Sequence, residues 1–152
     1  MAGNRRPLWT CPKCGHRFVN RNQWHSCSRY RLSDHLQGKP RRIRELFDAF
    51  RALAESCGPV TVYAQKTRIV FQVRVRFASA VPRKRWLNCG FWLTRRARHP
   101  LIHRADKIAP RCYACHCRLT DASQLDESFA ALMRRAYSIG CQEHLRSPKR
   151  ST

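Results

Sequence analysis

Residues 60–77 alternate apolar and polar side chains with a period of two. Successive side chains of an extended chain point to opposite faces of a sheet, so this pattern predicts one strand or two successive strands. A shift of one residue would exchange the two faces, which makes the pattern restrictive. The apolar face is expected to carry Thr67, Ile69, Phe71, Val73, Val75 and Phe77, and the polar face Arg68, Gln72, Arg74 and Arg76, with Val70 as the exception.

Two amphipathic helices are predicted to enclose this region. The first has Pro40 in its first turn and ends at Gly58, and the second is capped by Asp121 and stops at Gly140. Apolar residues recur at helical spacing in both segments. They are Ile43, Leu46, Phe47, Phe50, Leu53, Ala54 and Cys57 in the first helix, and Leu125, Phe129, Leu132, Met133, Ala136 and Tyr137 in the second.

Two further strands are predicted between the helices. Residues 86–93 form one of them, with an apolar face, and residues 111–120 form the other. Residues 82–85, Pro-Arg-Lys-Arg, form a charged turn before the first of these strands. The apolar face of residues 86–93 consists of Leu87, Cys89, Phe91 and Leu93.

The order of these elements predicts an α+β fold. Helix, strands and helix in succession favour a small antiparallel sheet with two helices packed on its apolar face and arginines on the other. A small zinc-binding module precedes this domain. Residues 31–40 are interpreted as a linker, and residues 94–109 as irregular, with a short strand near Leu101.

The first group of cysteines predicts a zinc site. Cys11-Pro-Lys-Cys14-Gly has the pattern of a zinc knuckle, in which two thiolates in a tight turn bind one metal ion. Zinc prefers four tetrahedral nitrogen and sulfur ligands, and His25 and Cys27 supply the other two; His16 is a substitute if His25 points away. Four protein ligands leave no position for a substrate, so the expected Zn²⁺ is structural. The alternative is a pair of thiols with unrelated histidines.

A second group of cysteines lies in residues 112–117, Cys-Tyr-Ala-Cys-His-Cys. This is the literal pattern for covalent haem attachment, which we reject because such attachment needs export and no signal peptide is evident. A second metal site would combine Cys112 and Cys115 with Cys141 and His144. A strand would put Cys112 and Cys115 on opposite faces, so buried thiols and a redox pair stay open as alternatives.

The basic residues are concentrated in two segments. Thirty-one Lys and Arg residues against nine Asp and Glu residues give a formal net charge of +22. Residues 1–33 contain seven of the basic residues, residues 59–105 contain eleven, and neither segment has an acidic residue. Self-repulsion on this scale favours an anionic partner, of which nucleic acid is the commonest. An acidic protein and an anionic membrane are the alternatives.

The predicted contacts to nucleic acid are made with phosphates. No recognition helix or RNA-binding motif is visible, so binding should not depend on base sequence and should fall steeply with salt. Trp86 and Trp92 either stack on bases or pack in the core. The expected anion-binding residues are Lys66, Arg68, Arg74, Arg76, Arg83, Lys84 and Arg85.

The composition argues against most kinds of catalysis. No acidic residue occurs between Glu55 and Asp106, so this segment cannot supply paired carboxylates, and no Gly-rich phosphate loop or nucleophile elbow is present. Two other classes stay open. One is a protein-interaction module that docks an acidic partner. The other is an enzyme that uses Lys66, Arg68 and a Cys or His residue on a small anionic molecule; a deep pocket around residues 65–68 would favour it.

The cysteine content also predicts a location. No apolar run approaches the length of a membrane span. Nine cysteines without an evident signal peptide are typical of a reducing compartment, where clustered thiols bind metals more often than they form disulfides. We therefore expect a cytoplasmic protein.

A series of short motifs runs in order from His35 to Gly140. They are Gly38-Lys-Pro, Leu46-Phe-Asp48, Gly58-Pro59-Val60, Gln65-Lys-Thr-Arg68, Arg76-Phe77-Ala78, Pro82-Arg-Lys84, Trp92-Leu93, Arg118-Leu119-Thr120, Ala136-Tyr137 and Gly140. This series resembles the bacterial family called domain of unknown function 5655, and Trp9-Thr-Cys-Pro-Lys-Cys-Gly with Asn22-Gln-Trp-His-Ser-Cys resembles a zinc-ribbon-like extension of some members. The resemblance implies that residues 65–68, 83 and 84 belong to the motif and that His116 matches a family histidine, but it implies no activity.

The chain is expected to have three parts. Residues 1–32 form the zinc-ribbon-like module, residues 33–145 form the basic α+β domain, and residues 146–152 form a basic tail.

Overall fold

The computed structural model of the chain describes residues 6–23, 25, 27 and 30–143. These residues contain three α-helices and eight strands: β1 (Trp9–Thr10), β2 (Arg17–Phe18), α1 (Leu32–Leu36), α2 (Arg41–Ser56), β3 (Thr61–Ala64), β4 (Ile69–Gln72), β5 (Arg76–Pro82), β6 (Leu87–Leu93), β7 (Ile102–Ala109), β8 (Cys112–Leu119) and α3 (Glu127–Gly140). The strands β1 and β2 form a hairpin. The other six form one antiparallel sheet in the order β3-β4-β5-β6-β8-β7.

The two long helices begin where side chains or proline support their first turns. Pro40 precedes α2, and because proline has no backbone N–H it leaves no unpaired donor at the start of the helix. Asp126 caps α3, because its carboxylate accepts a hydrogen bond of 3.0 Å from the backbone N–H of Phe129. The prediction that Asp121 caps this helix is wrong. Asp121 caps a separate 3₁₀ turn, Ala122–Gln124, that comes first.

The hydrophobic core lies between the sheet and the helices α2 and α3. Phe50 of α2 is the centre of an aromatic cluster, with ring centroids 5.3 Å from Phe71 and 6.0 Å from Phe91. Phe129 of α3 packs against Phe91 at 5.4 Å. All four rings are fully buried. The predicted α+β fold, with two helices on the apolar face of an antiparallel sheet, is therefore confirmed.

Two segments are more regular than predicted. The expected linker at residues 31–40 contains the short helix α1, and the strand expected near Leu101 in the otherwise irregular segment 94–109 is the eight-residue edge strand β7, which begins at Ile102. Neither element has an apolar stripe, because α1 has no buried residue and most side chains of β7 are exposed. Their positions are set by contacts with other elements, so periodicity alone does not reveal them.

The alternating segment is divided by an irregularity. Phe71 pairs with Ala78, whereas Gln72 pairs with Arg76, so the register shifts between β4 and β5. The residues between the two strands, 73–75, are outside both of them, and the prediction that Val73 and Val75 extend the apolar strand face is wrong. Ile69, Phe71 and Phe77 are fully buried, as the alternation predicts.

The N-terminal segment covers one end of the sheet face opposite to the helices. Gln72 donates a hydrogen bond of 2.6 Å to the carbonyl oxygen of Arg17, and the rings of His16 and Tyr63 are 4.4 Å apart. Val70 lies on the same face as Tyr63, its partner in register, and is fully buried. This explains why Val70 is apolar at a position where the alternation expects a polar residue.

The rest of this face lies away from the helices α2 and α3, and we call it the open face. Its residues alternate along each strand with those that face the helices. They are Ser79 and Val81 of β5, Asn88, Gly90 and Trp92 of β6, Arg104 and Asp106 of β7, and Ala114, His116 and Arg118 of β8. Among the described residues, no helix combines the length and the apolar character that a membrane span requires.

Candidate metal centre and open face

The hairpin of β1 and β2 holds the first two cysteines in a tight turn. The backbone N–H of Cys11 donates to the carbonyl oxygen of His16, and that of Gly15 donates to the carbonyl oxygen of Cys11, both at 2.8 Å. Gly15 has a φ of 77°, a left-handed conformation that glycine adopts without strain. Cys11 and Cys14 are both buried at this turn, so their thiols point inward.

His25 and Cys27 complete a group of four ligands. The ligand atoms of Cys11, Cys14, His25 and Cys27 all lie within 4.8 Å of one another. The sulfur atoms of Cys11 and Cys27 are 3.8 Å apart, and Nε2 of His25 is 3.2 Å from Cys14 Sγ and 3.4 Å from Cys27 Sγ. Tetrahedral zinc with Zn–S bonds of about 2.3 Å has sulfur atoms about 3.8 Å apart. The separations therefore fit a tetrahedral metal ion, and the four residues can hold one.

The second nitrogen of His25 is fixed by the backbone. Its Nδ1 donates a hydrogen bond of 2.6 Å to the carbonyl oxygen of Gln23, which leaves Nε2 directed at the thiols. The alternative ligand, His16, packs against Tyr63 and is not part of the four-residue group.

The thiols have opposite electrostatic surroundings. Hydrogen bonding from the backbone N–H of Cys14 lowers the pKa of Cys11 to about 6. Burial, together with the neighbouring thiols of Cys11 and Cys14, raises the pKa of Cys27 to about 11. Several thiolates at this distance repel one another, so the fully deprotonated set needs a cation between the sulfur atoms.

The residues predicted for a second metal site are not brought together in the described part of the chain. Cys115 faces the helices and is fully buried, whereas Cys112 lies on the opposite side of β8. Cys141 follows α3, and His144 lies outside the described residues. No second group of metal ligands occurs among the residues that the structure describes. The set of Cys112, Cys115, Cys141 and His144 stays a prediction.

The seven predicted anion-binding residues do not form one patch. Lys66 and Arg68 are in the connection between β3 and β4, and Arg76 begins β5. Arg83, Lys84 and Arg85 form an exposed turn between β5 and β6, which we call the basic turn. Arg74 is half-buried and donates hydrogen bonds of 2.9 Å to Gln142 Oε1 and 2.8 Å to the carbonyl oxygen of Arg6.

Arg68 lies against the open face and is half-buried. Its Nε donates a hydrogen bond of 3.1 Å to Gln65 Oε1, and its guanidinium carbon is 5.6 Å from the ring centroid of Trp92. Burial and the nearby charge of Arg76 lower the pKa of Arg68. None of the nine acidic residues, all of which are described, forms an ion pair with it. The positive charge of Arg68 is thus available to an anion.

Both tryptophans named in the sequence analysis carry an arginine on the ring. Arg118 lies 4.4 Å from the ring centroid of Trp86, in addition to the pair of Arg68 and Trp92. Trp86 Nε1 is buried without a hydrogen-bond partner among the described residues. Trp86 therefore packs against the protein, whereas Trp92 borders one cavity on the open face and another between the N-terminal module and the sheet.

Four residues that meet on the open face, Ser79, Gly90, Asp106 and His116, were not predicted to form a site, although the family resemblance marks His116. Ser79, Gly90 and His116 are direct neighbours in register across three strands. His116 Nε2 is 3.4 Å from Asp106 Oδ2, and the hydrogen bond from Arg104 holds the pKa of Asp106 below its usual range. No local motif marks these residues, since each comes from a different strand.

A cleft separates the N-terminal module from the connection between β3 and β4. Its volume is about 390 Å³, and it lies at residues 65–68, where the enzyme alternative expects a pocket. The candidate metal ligand His25 lines one wall, while Tyr63 and Arg68 line the other. The candidate metal centre and the basic residues therefore share one cavity.

An α+β domain with a four-residue Cys/His centre at its N-terminal side is the class of protein that these observations define. Residues 32–140 match the family model described as Domain of unknown function (DUF5655), and this match spans more than half of the chain. The chain belongs to that family, which confirms the resemblance found in the sequence. A search of curated proteins and a search of solved structures each found no match.

Proposed function

We propose that this protein binds nucleic acid through phosphate contacts, without preference for base sequence, and that Zn²⁺ at Cys11, Cys14, His25 and Cys27 stabilises its N-terminal module. The observation that carries the proposal is the segregation of charge. All nine acidic residues are described. Eight of them lie in or beside helices or the 3₁₀ turn, and only Asp106 lies on the six-stranded sheet.

The cations are left without acidic neighbours on the other side of the molecule. Arg68, Arg76 and Arg118 lie on or beside the open face, and the basic turn projects from one end of it. Asp106 does not offset them, because it is paired with Arg104 at 2.9 Å. A surface of this kind concentrates polyanions and binds them with a strong dependence on salt.

Zinc is the metal that suits the donor set. Three thiolates and one imidazole are soft and borderline ligands, and four of them in a tetrahedral arrangement favour zinc over calcium or magnesium. None of the nine cysteines, all of which are described, forms a disulfide bond, which agrees with a reducing compartment such as the cytoplasm. We assign residues 1–32 to the zinc module and residues 33–145 to the basic domain. The tail predicted at residues 146–152 lies outside the described residues.

Binding by the purified full chain tests this function. The protein is stripped of copurifying nucleic acid at high salt, and its affinity for a labelled DNA duplex and a labelled single strand is measured by fluorescence anisotropy. Affinity should fall steeply between about 50 mM and about 200 mM salt and should be similar for two unrelated sequences.

Two results would contradict the proposal. Absence of binding at low salt, or an affinity that does not change with salt, would exclude phosphate contacts as the source of binding. If a protein partner is still captured after nuclease treatment, an acidic protein is favoured as the ligand instead.

A further inference from the structure

Ser79, Gly90 and His116 form the floor of a depression in the open face. Gly90 lies between the other two in register. A Cβ atom built on Gly90 would be 3.3 Å from Ser79 Oγ and 3.9 Å from His116 Nδ1. The carbonyl oxygen of Cys115 is 3.5 Å from the same point. A hydroxyl group and an imidazole nitrogen therefore flank the space above Gly90, and a side chain at this position would crowd them.

A cavity lies on each side of this point. One has a volume of about 250 Å³ and extends toward Asn88 and His103, and the other has about 260 Å³ and extends toward Trp92 and Ile108. Both cavities are lined by the same four residues, Arg68, Ser79, Gly90 and His116. The depression is therefore the middle of a groove, with a polar centre and two lateral spaces.

The two lateral spaces differ in chemistry. Trp92 and Ile108 give one of them an aromatic and apolar wall, and Ile108 is 61% exposed there. The other is lined by amide and imidazole side chains, Asn88 and His103 among them. Arg68 also lines the cleft beside the metal centre, so the groove continues toward the N-terminal module.

We propose that this groove binds single-stranded nucleic acid, with one phosphodiester above Gly90 held by Arg68, Ser79 and His116, and its two neighbouring nucleosides in the lateral cavities. The proposal rests on the function proposed above and names its substrate. A phosphodiester carries one negative charge and continues in two directions, which fits a cationic centre between two cavities. A base in the cavity of Trp92 can stack on an aromatic wall, as unpaired bases do on single-strand-binding proteins.

Paired bases cannot use this groove. In a duplex both flanking bases are stacked and hydrogen-bonded to the opposite strand, so they do not turn outward into the lateral cavities. A duplex is left with contacts to surface cations such as those of the basic turn. The groove should therefore add affinity for single strands only.

The test compares a labelled thymidine 12-mer with a duplex of similar phosphate number at one salt concentration. The unmodified full chain should bind the single strand more tightly. Arg68→Gln should weaken binding of the single strand by at least about tenfold, since a charge-assisted hydrogen bond in the groove is lost. The matched control, Arg83→Gln, removes the same charge from the basic turn. It should lower the affinities for the single strand and the duplex by similar factors, both smaller than the factor expected for Arg68→Gln.

Two further variants test the centre of the groove. Gly90→Ala fills the point above the glycine, and His116→Ala removes one of the converging groups from a half-exposed position. Each should lower the affinity for the single strand about tenfold or more, while the affinity for the duplex stays within about twofold. Thermal unfolding identifies any variant that does not fold, and if Gly90→Ala does not fold, the test rests on His116→Ala.

The outcomes separate this proposal from the one on which it rests. Equal affinity of the unmodified protein for single strand and duplex, or equal effects of Arg68→Gln and Arg83→Gln on the single strand, would overturn the groove while leaving phosphate binding intact. Absence of binding to either nucleic acid would overturn both proposals.

Discussion

The basic turn allows the salt dependence of binding to be calculated from the structure. Arg83, Lys84 and Arg85 are all exposed, and none of the three side chains forms an ion pair with any of the nine acidic residues, all of which are described. For a single strand, each phosphate contact makes the slope of log affinity against log salt steeper by about 0.7. If each of the three side chains contacts one phosphate, replacement of all three by Gln makes this slope shallower by about 2.

That change in slope corresponds to a large factor. For a fourfold rise in salt, from about 50 mM to about 200 mM, the loss of affinity should be about 20-fold smaller in the triple variant than in the unmodified protein. Fluorescence anisotropy titrations of a labelled thymidine 12-mer at four or five salt concentrations measure both slopes. The fitted slopes are compared, rather than the affinities at one salt concentration.

A second triple variant controls for net charge. Arg51, Arg134 and Arg135 lie on the helices α2 and α3, on the side of the sheet away from the open face. Replacing these three by Gln removes the same total charge, and its slope should stay close to that of the unmodified protein. If both triple variants change the slope equally, the whole charge of the protein attracts the ligand and the basic turn is not a contact surface.

Three other outcomes are expected. Mass spectrometry of the native protein should find one zinc ion per chain; Cys14→Ser should remove it and the control Cys112→Ser should not, and zinc retained by Cys14→Ser would contradict the ligand set. Phe50→Ala should lower the free energy of unfolding by about 3 to 5 kcal/mol in urea denaturation, because it leaves a cavity among buried aromatic rings, and a loss below about 1 kcal/mol would contradict that packing. Hydrogen bonds from the Ser128 hydroxyl and the Phe129 N–H lower the pKa of Asp126, so its contribution is present at neutral pH and is lost as pH falls through this lowered pKa. Asp126→Ala should therefore lower the melting temperature at pH 7, with a difference from the unmodified protein that shrinks toward pH 3.

The elements that the sequence predicts are those that bury their own apolar stripe. The helix α2 and the strand β6 each present one face to the core, so a period of 3.6 or of two appears directly in the residue order. The same holds for the candidate metal ligands, because the spacing of Cys11, Cys14, His25 and Cys27 is local and their chemistry is specific.

The features that the sequence does not predict depend on contacts between distant parts of the chain. Val70 is buried because the N-terminal segment covers β4, and nothing near Val70 in the sequence indicates this cover. The depression at Ser79, Gly90 and His116 exists only when three strands are paired in register. The strand β7, which adds Asp106, is an exposed edge strand without an apolar pattern.

The metal centre and the open face are parts of one surface, although they come from separate parts of the chain. His25 offers Nε2 to the metal site and also lines the cleft that Arg68 lines from the other side. The hydrogen bond between Gln72 and the carbonyl oxygen of Arg17 joins the module to β4, at the end of the groove. A module this small has little hydrophobic core of its own, so the ligands must supply most of its stability. Under the proposed function, a metal ion held by these ligands would support nucleic-acid binding indirectly, because it would fix the wall that the module contributes to the shared cleft.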